Sequence, residues 1–152
     1  MQEPVTLCGE TANLAVAEDD RVVVIGHVET HEAIRAFFRP GTQPLFHAYG
    51  IGEGILAHRA PAQVAASLKR SGMPRFTDCT LTTLPALLVD LSLRRARGWA
   101  VDDEERNPGM SCVGATAQIT YAIAGRPSHP SRYGPSGDVG LQVMMDGASR
   151  PV

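Results

Sequence analysis

Apolar positions along this chain recur with two periods, and the change from one to the other divides it into elements. Residues 11–16, TANLAV, alternate loosely and run into the polar turn Glu18, Asp19, Asp20. Residues 21–29, RVVVIGHVE, are rich in β-branched side chains and follow at hairpin distance, so the two segments predict an antiparallel strand pair. A third extended segment is expected at residues 33–39, closed by Pro40 and Gly41. The period then lengthens, and residues 48–58, 61–70 and 81–97 read as helices. The second opens on Pro61 and stops at Ser71 and Gly72, the usual proline-first, glycine-last asymmetry. In the third, Leu84, Leu87, Leu88 and Leu91 share a face, with Thr82 as the expected N-cap and Gly98 as the stop. Residues 99–101 and 111–115 are expected strands on either side of the acidic loop DDEERNPG. Strands, then helices, then strands is the order of an α+β domain with helices packed on an antiparallel sheet.

Past Thr116 the pattern fades. Gly, Pro and Ser dominate, as in SHPSRYGPSGD, and only ITYAIAG (119–125) and VGLQVMM (139–145) remain strand-like. The expected organisation is a core at residues 1–116 followed by a divergent, partly disordered tail at 117–152.

Composition narrows the function. The 152 residues suffice for one domain with a real core but hardly for two. A formal charge of −2 and a pI near 6.2 give no basic face, so direct nucleic-acid binding is not expected. Arg94, Arg95 and Arg97 read most simply as cations at a helix C-terminus. Cys8, Cys79 and Cys112 are scattered, which argues against a disulfide framework and a tetrathiolate zinc site. His27, His31, His58 and His129 lack metal-ligand spacing, so neither metal nor cofactor is expected. The N-terminal residues show no secretory pattern, and no apolar run approaches the roughly 20 residues of a membrane span. The expectation is a soluble cytoplasmic domain without membrane contact.

The segment GTQPLFHAYGIGEGILAH carries the most chemistry. Glycine costs a helix about 1 kcal/mol relative to alanine, yet Gly50, Gly52 and Gly54 stand together where one begins. Two reasons compete. An anion could approach the unpaired amides and positive dipole at the first turn; alternatively, the helix packs closely on a sheet. The spacing is not the GxGxxG dinucleotide fingerprint. Asp102 and Cys112, near the ends of neighbouring expected strands, pair an acceptor with a weak donor. Cys112 reads equally as a small buried hydrophobe, and Asp103, Glu104 and Glu105 as a solvated acidic loop. His47 suits packing or capping as well as ligand contact. Leu45, Phe46, Tyr49 and Met73 form either an apolar pocket wall or ordinary core.

The ordered set GETANLAV, RVVVIGHVE, RPGTQPLFHAYGIGEGILAH, GMPRFTDCTLT, RARGWAVDDEE and GMSCVGA resembles the effector-binding domain of IclR-type bacterial transcription regulators, over about residues 9–115. The resemblance implies a GAF/profilin-like curved antiparallel sheet flanked by helices. It also implies a small, often carboxylate, effector and a preceding winged helix-turn-helix that binds DNA, which this chain is expected to lack. Gly50 and Ile51 align with positions whose amides face the effector, and Asp102 and Cys112 with polar contacts to it; Gly52, Tyr49 and His47 complete the candidate set. Two departures stand out. Glu53 replaces a customary lysine, and after GMSCVGA the serines expected in the next strand are Ala122 and Ala124.

The leading expectation is therefore a carboxylate-sensing module acting as a homodimer or as a mixed dimer with an intact relative, and not an enzyme. One alternative is a decayed or truncated fragment without ligand binding. Another is a hydrolase using Cys112, His47 and Asp102, although no nucleophile motif surrounds the cysteine.

Overall fold

The computed structural model describes residues 10–18, 20–28, 40–120 and 136–146. Cys8, His31, His129, the expected strand at 33–39 and Ala122 and Ala124 lie outside the described residues.

Strands β1 (Ala12–Glu18) and β2 (Arg21–Val28) form the predicted hairpin, with a bulge between Leu14 and Ala15. A single 3-10 turn, Phe46–Ala48, leads through Tyr49 into helix α1 (Gly50–Ala57). Helices α2 (Pro61–Ser71) and α3 (Leu84–Arg97) follow, then β3 (Ala100–Asp103), β4 (Met110–Thr120) and β5 (Ser136–Asp146). The five strands make one antiparallel sheet in the order β2-β1-β5-β4-β3.

The helix expected from residue 48 starts at Gly50, because Tyr49 is extended, with φ −159°. Thr83, not Thr82, is the N-cap of α3, and its side chain makes no capping bond. Proline at the start of that helix supplies the preset φ instead. Gly98 closes α3 in the left-handed region, φ +85°, with its amide on the Arg94 carbonyl at 3.0 Å.

The backbone does not change element at Thr116. β4 runs through to Thr120, and β5, drawn from the Gly/Pro/Ser-rich part of the chain, lies between β4 and β1. Its residues Val139 to Val143 pair with Val16 to Ala12 on one side, and Ser136 to Asp146 pair with Thr120 to Met110 on the other. The strand-like stretch expected at 139–145 thus lies within β5 and forms the middle of the sheet.

Every residue of α1 is buried. The helix lies against the sheet face carrying Ala100, Asp102, Cys112 and Gly114, and α3 closes over it with Leu87, Leu91 and Arg94. The packing around α1 is close at three glycines, two against the sheet and one against the 3-10 turn. A Cβ on Gly114 would stand 2.6 Å from the Gly50 carbonyl oxygen, and one on Gly52 would stand 2.6 Å from that of Phe46. At Gly54 it would meet the Thr116 methyl at 2.9 Å. For Gly52 and Gly54, close packing is therefore sufficient reason for glycine.

Candidate functional site

Asp102 and Cys112 are direct cross-strand partners in the β3–β4 pair, and Gly114 faces Ala100 one step further along. Alternation along a strand points Ala100 and Asp102 to one face, where Cys112 and Gly114 also lie. Gly114 touches the first turn of α1 through Gly50 and the Ile51 amide. The sheet thereby brings Asp102 and Cys112, 10 positions apart in sequence, to the N-terminal end of the glycine helix. Tyr49 joins them: it is fully buried, and burial together with the nearby Cys112 and Asp102 raises its phenol well above the ordinary value. Five of the seven expected residues, Tyr49, Gly50, Ile51, Asp102 and Cys112, thus share one corner.

Gly52 flanks that corner, but its bare side is turned to the Phe46 backbone. His47 serves the wall. Its Nε2 is 3.0 Å from the Pro74 carbonyl and its ring 5.8 Å from that of Phe76. Burial lowers its pKa, favouring a neutral imidazole that donates Nε2–H to Pro74. His47 thus donates to the Pro74 carbonyl, and its buried Nδ1 meets no hydrogen-bond partner among the described residues. Phe46 and Tyr49 are fully buried core, and Met73 packs against it.

Asp102 dominates the electrostatics of the corner. It is 2% exposed, and burial lifts its carboxyl to about 6 against the pull of its hydrogen bonds. Its Oδ1 accepts the Glu105 amide at 2.8 Å, so the side chain shapes the β3–β4 turn as it faces the interior. In that turn Glu104 adopts φ +60°, a conformation that costs a non-glycine residue about 1–2 kcal/mol. Thr77 Oγ1 donates to the Glu104 carbonyl and Thr80 Oγ1 to that of Glu105, both at 2.7 Å. The loop after α2 is thereby clamped to the turn, with the Arg106 guanidinium 3.8 Å above the Phe76 ring. An open groove of about 480 Å³ lies between this loop and Glu104 and Pro108, and none of the seven expected residues lines it.

One turn further along α1 is an ionic cluster that the sequence pattern did not reveal. Arg94 donates from Nη1 to Glu53 Oε2 at 2.5 Å and from Nη2 to Glu105 Oε1 at 2.9 Å. It also bonds Asp90 and the Val101 carbonyl. Arg94, Glu53 and Glu105 are all at most 5% exposed. Burial pushes Glu53 well above the carboxylate range and Glu105 to about 7, while Arg94 pulls both down. Two expectations are corrected here. Glu105 is not part of a solvated loop, because its carboxylate turns inward to Arg94. The arginines are not merely terminal cations: Arg95 donates to the Ala57 and Arg59 carbonyls, capping the end of α1, and Arg94 is an interior hub. One signal was available, since Arg94 falls at positions i+3 and i+7 from Leu91 and Leu87, on the buried face of α3.

The chain belongs to the family Bacterial transcriptional regulator IclR C-terminal, which matches residues 1–124. It is 51% identical to the HTH-type transcriptional regulator BhcR of Paracoccus denitrificans over 107 residues, covering 70% of this chain and 38% of that protein. It is 33% identical to the HTH-type transcriptional repressor AllR of Escherichia coli K12 over 113 residues, 74% of this chain and 42% of the repressor. The chain thus spans about two-fifths of the length of these curated relatives. Among solved structures, Thermotoga maritima IclR matches with TM-score 0.83 at 25% identity, over 99% of this chain and 56% of that one. The inducer-binding domain of Acinetobacter PobR, a double mutant in complex with 3-hydroxybenzoic acid, shares the fold at TM-score 0.77 and 14% identity, covering 97% and 79% of the two chains. Among the described residues, no helix is long and apolar enough to cross a membrane.

Proposed function

We propose that this chain is the sensing part of an IclR-type regulator and that it binds a small carboxylate between the first turn of α1 and the Asp102–Cys112 pair. The observation that carries this reading is Asp102, a buried carboxyl that accepts backbone amides rather than a cation and titrates near 6, beside a helix N-terminus and a buried tyrosine. A group with a perturbed pKa in an enclosed polar corner is the usual mark of a functional site.

The chemistry is assigned residue by residue. The amides of Gly50, Ile51 and Gly52 face the effector carboxylate, where the positive end of the helix dipole favours a negative charge. Asp102 accepts from an effector hydroxyl or gem-diol, and the Cys112 thiol is a weak donor beside it. Tyr49 supplies the apolar wall, and His47 holds that wall in place through Pro74. The carboxylic acid in the PobR inducer-binding domain, a protein of the same fold, supports the carboxylate class. Effector binding then biases how two sensing domains associate, as a homodimer or with an intact relative, with a coupling typically of about 1–3 kcal/mol. The near-neutral charge leaves DNA contact to other segments of the assembly.

Thermal-shift screening against glyoxylate, pyruvate and aromatic acids tests the reading. A ligand at 100 times its dissociation constant should stabilise the fold by about 2.7 kcal/mol. A flat response across the panel, from protein folded by circular dichroism, would overturn it.

A further inference from the structure

Helix α3 is apolar on both of its sides. Leu87, Leu91 and Arg94 point inward and are buried. At about 100° per residue, Pro85, Ala86, Val89, Leu93 and Ala96 fall in one sector roughly 100° wide on the opposite side. All five are exposed, Val89 at 65% and Leu93 at 60%. No Asp, Glu, Lys or Arg interrupts that sector, whereas the solvent side of a surface helix ordinarily carries charge. Neither the effector corner nor the Arg94 cluster uses it.

The order of side chains indicates the occupant. Ala86, Val89, Leu93 and Ala96 are spaced three, four and three residues apart, small–large–large–small, and the pattern reads the same in both directions. Two such helices laid antiparallel set Val89 of each copy against Leu93 of the other, with alanine meeting alanine at both ends. This is the spacing with which helices pack at shallow angles. A parallel arrangement would instead abut the two Arg95 and Arg97 clusters and align the helix dipoles. A pair of four-turn helices buries less than the roughly 1,200 Å² of a standard stable interface, so the contact is reversible rather than obligate.

We propose that the outer face of α3 is a self-pairing surface on which a second copy of this chain docks its own α3 antiparallel, Val89 against Leu93. This rests on the pairing part of the function proposed above and needs no effector.

Sedimentation velocity over a wide concentration range tests it. The wild-type chain is expected to form a concentration-dependent dimer, and V89E/L93E to weaken it at least about tenfold while circular dichroism and the carboxylate-induced thermal shift remain as in wild type. The register is read by mixing. V89E alone and L93K alone each dimerise poorly, but an equimolar mixture recovers association, because only antiparallel pairing opposes the two charges. A wild-type chain that stays monomeric throughout overturns the proposal. So does a dimer unchanged in V89E/L93E, or a mixture without recovery. Loss of the thermal shift across the carboxylate panel with self-association intact would count against the effector site alone.

Discussion

Three positions along α1 separate two regions that treat buried carboxyl groups in opposite ways. At Glu53 the carboxyl is met by Arg94, which also holds Glu105, Asp90 and the Val101 carbonyl. At the helix's first turn, Asp102 is buried to a similar degree but accepts backbone amides. The first region is closed, tying α1, α3, β3 and the β3–β4 turn together. The second is a polar corner in which the carboxyl is met by main-chain N–H groups rather than by a guanidinium. The two regions are adjacent, and the Arg94 cluster fixes how α1 sits against β3 beside the corner.

The largest effect should come from removing the hub. Arg94→Met leaves Glu53 and Glu105 buried around no cation and should cost about 3–5 kcal/mol in chemical denaturation. Glu53→Gln keeps an acceptor for Arg94 at a position where burial already favours the neutral carboxyl, so it should cost no more than about 1 kcal/mol. Equal losses in the two variants would show that the cluster is not organised around the arginine.

Next is pH. Asp102 near 6, Glu105 near 7 and the raised Glu53 hold protons in the folded chain that the unfolded chain releases above about pH 4. The folded state therefore binds more protons in this window, and stability falls as pH rises from about 5 to 8. The Asp102 share of that fall is up to about 2–3 kcal/mol, and Asp102→Asn should flatten the slope around pH 6 in thermal unfolding. A stability that climbs with pH over the same window would contradict the assignment.

Packing at the helix start gives a smaller effect. Gly52→Ala drives a Cβ to 2.6 Å from the Phe46 carbonyl oxygen and should destabilise by about 1–3 kcal/mol, whereas Gly54→Ala meets only a side-chain methyl and should cost less. Urea midpoints rank the two. The smallest effect concerns effector affinity: neutralising Asp102 removes its repulsion of an anion, so carboxylate binding by calorimetry should strengthen severalfold per unit from pH 7.5 to 5.5. In Asp102→Asn that dependence should be weak.

The hairpin and the three helices were legible because each rests on local periodicity, and motifs shared with the family singled out the candidate residues around the start of α1. The core of β5 was legible too, as VGLQVMM at 139–145, but its place between β1 and β4 was not, because local alternation does not name a strand's partners. The Arg94 cluster joins residues 41 and 11 positions apart, a relation that no local pattern encodes. Gly52 looked like an opening for a ligand, but the space beside its Cα is taken by the Phe46 backbone. Local sequence marked where unusual backbone was required and left open what would fill it.

The central claim is that the amides opening α1, with Asp102 and Cys112 opposite, receive a small carboxylate. Amide chemical shifts of the isotope-labelled 152-residue chain, titrated with glyoxylate, pyruvate and an aromatic acid, test it most directly. The account predicts saturable shifts, for at least one of the three, concentrated at Gly50, Ile51, Gly52, Asp102 and Cys112. Saturable shifts that leave those five amides unmoved, or a folded spectrum unaffected by every acid, would contradict it.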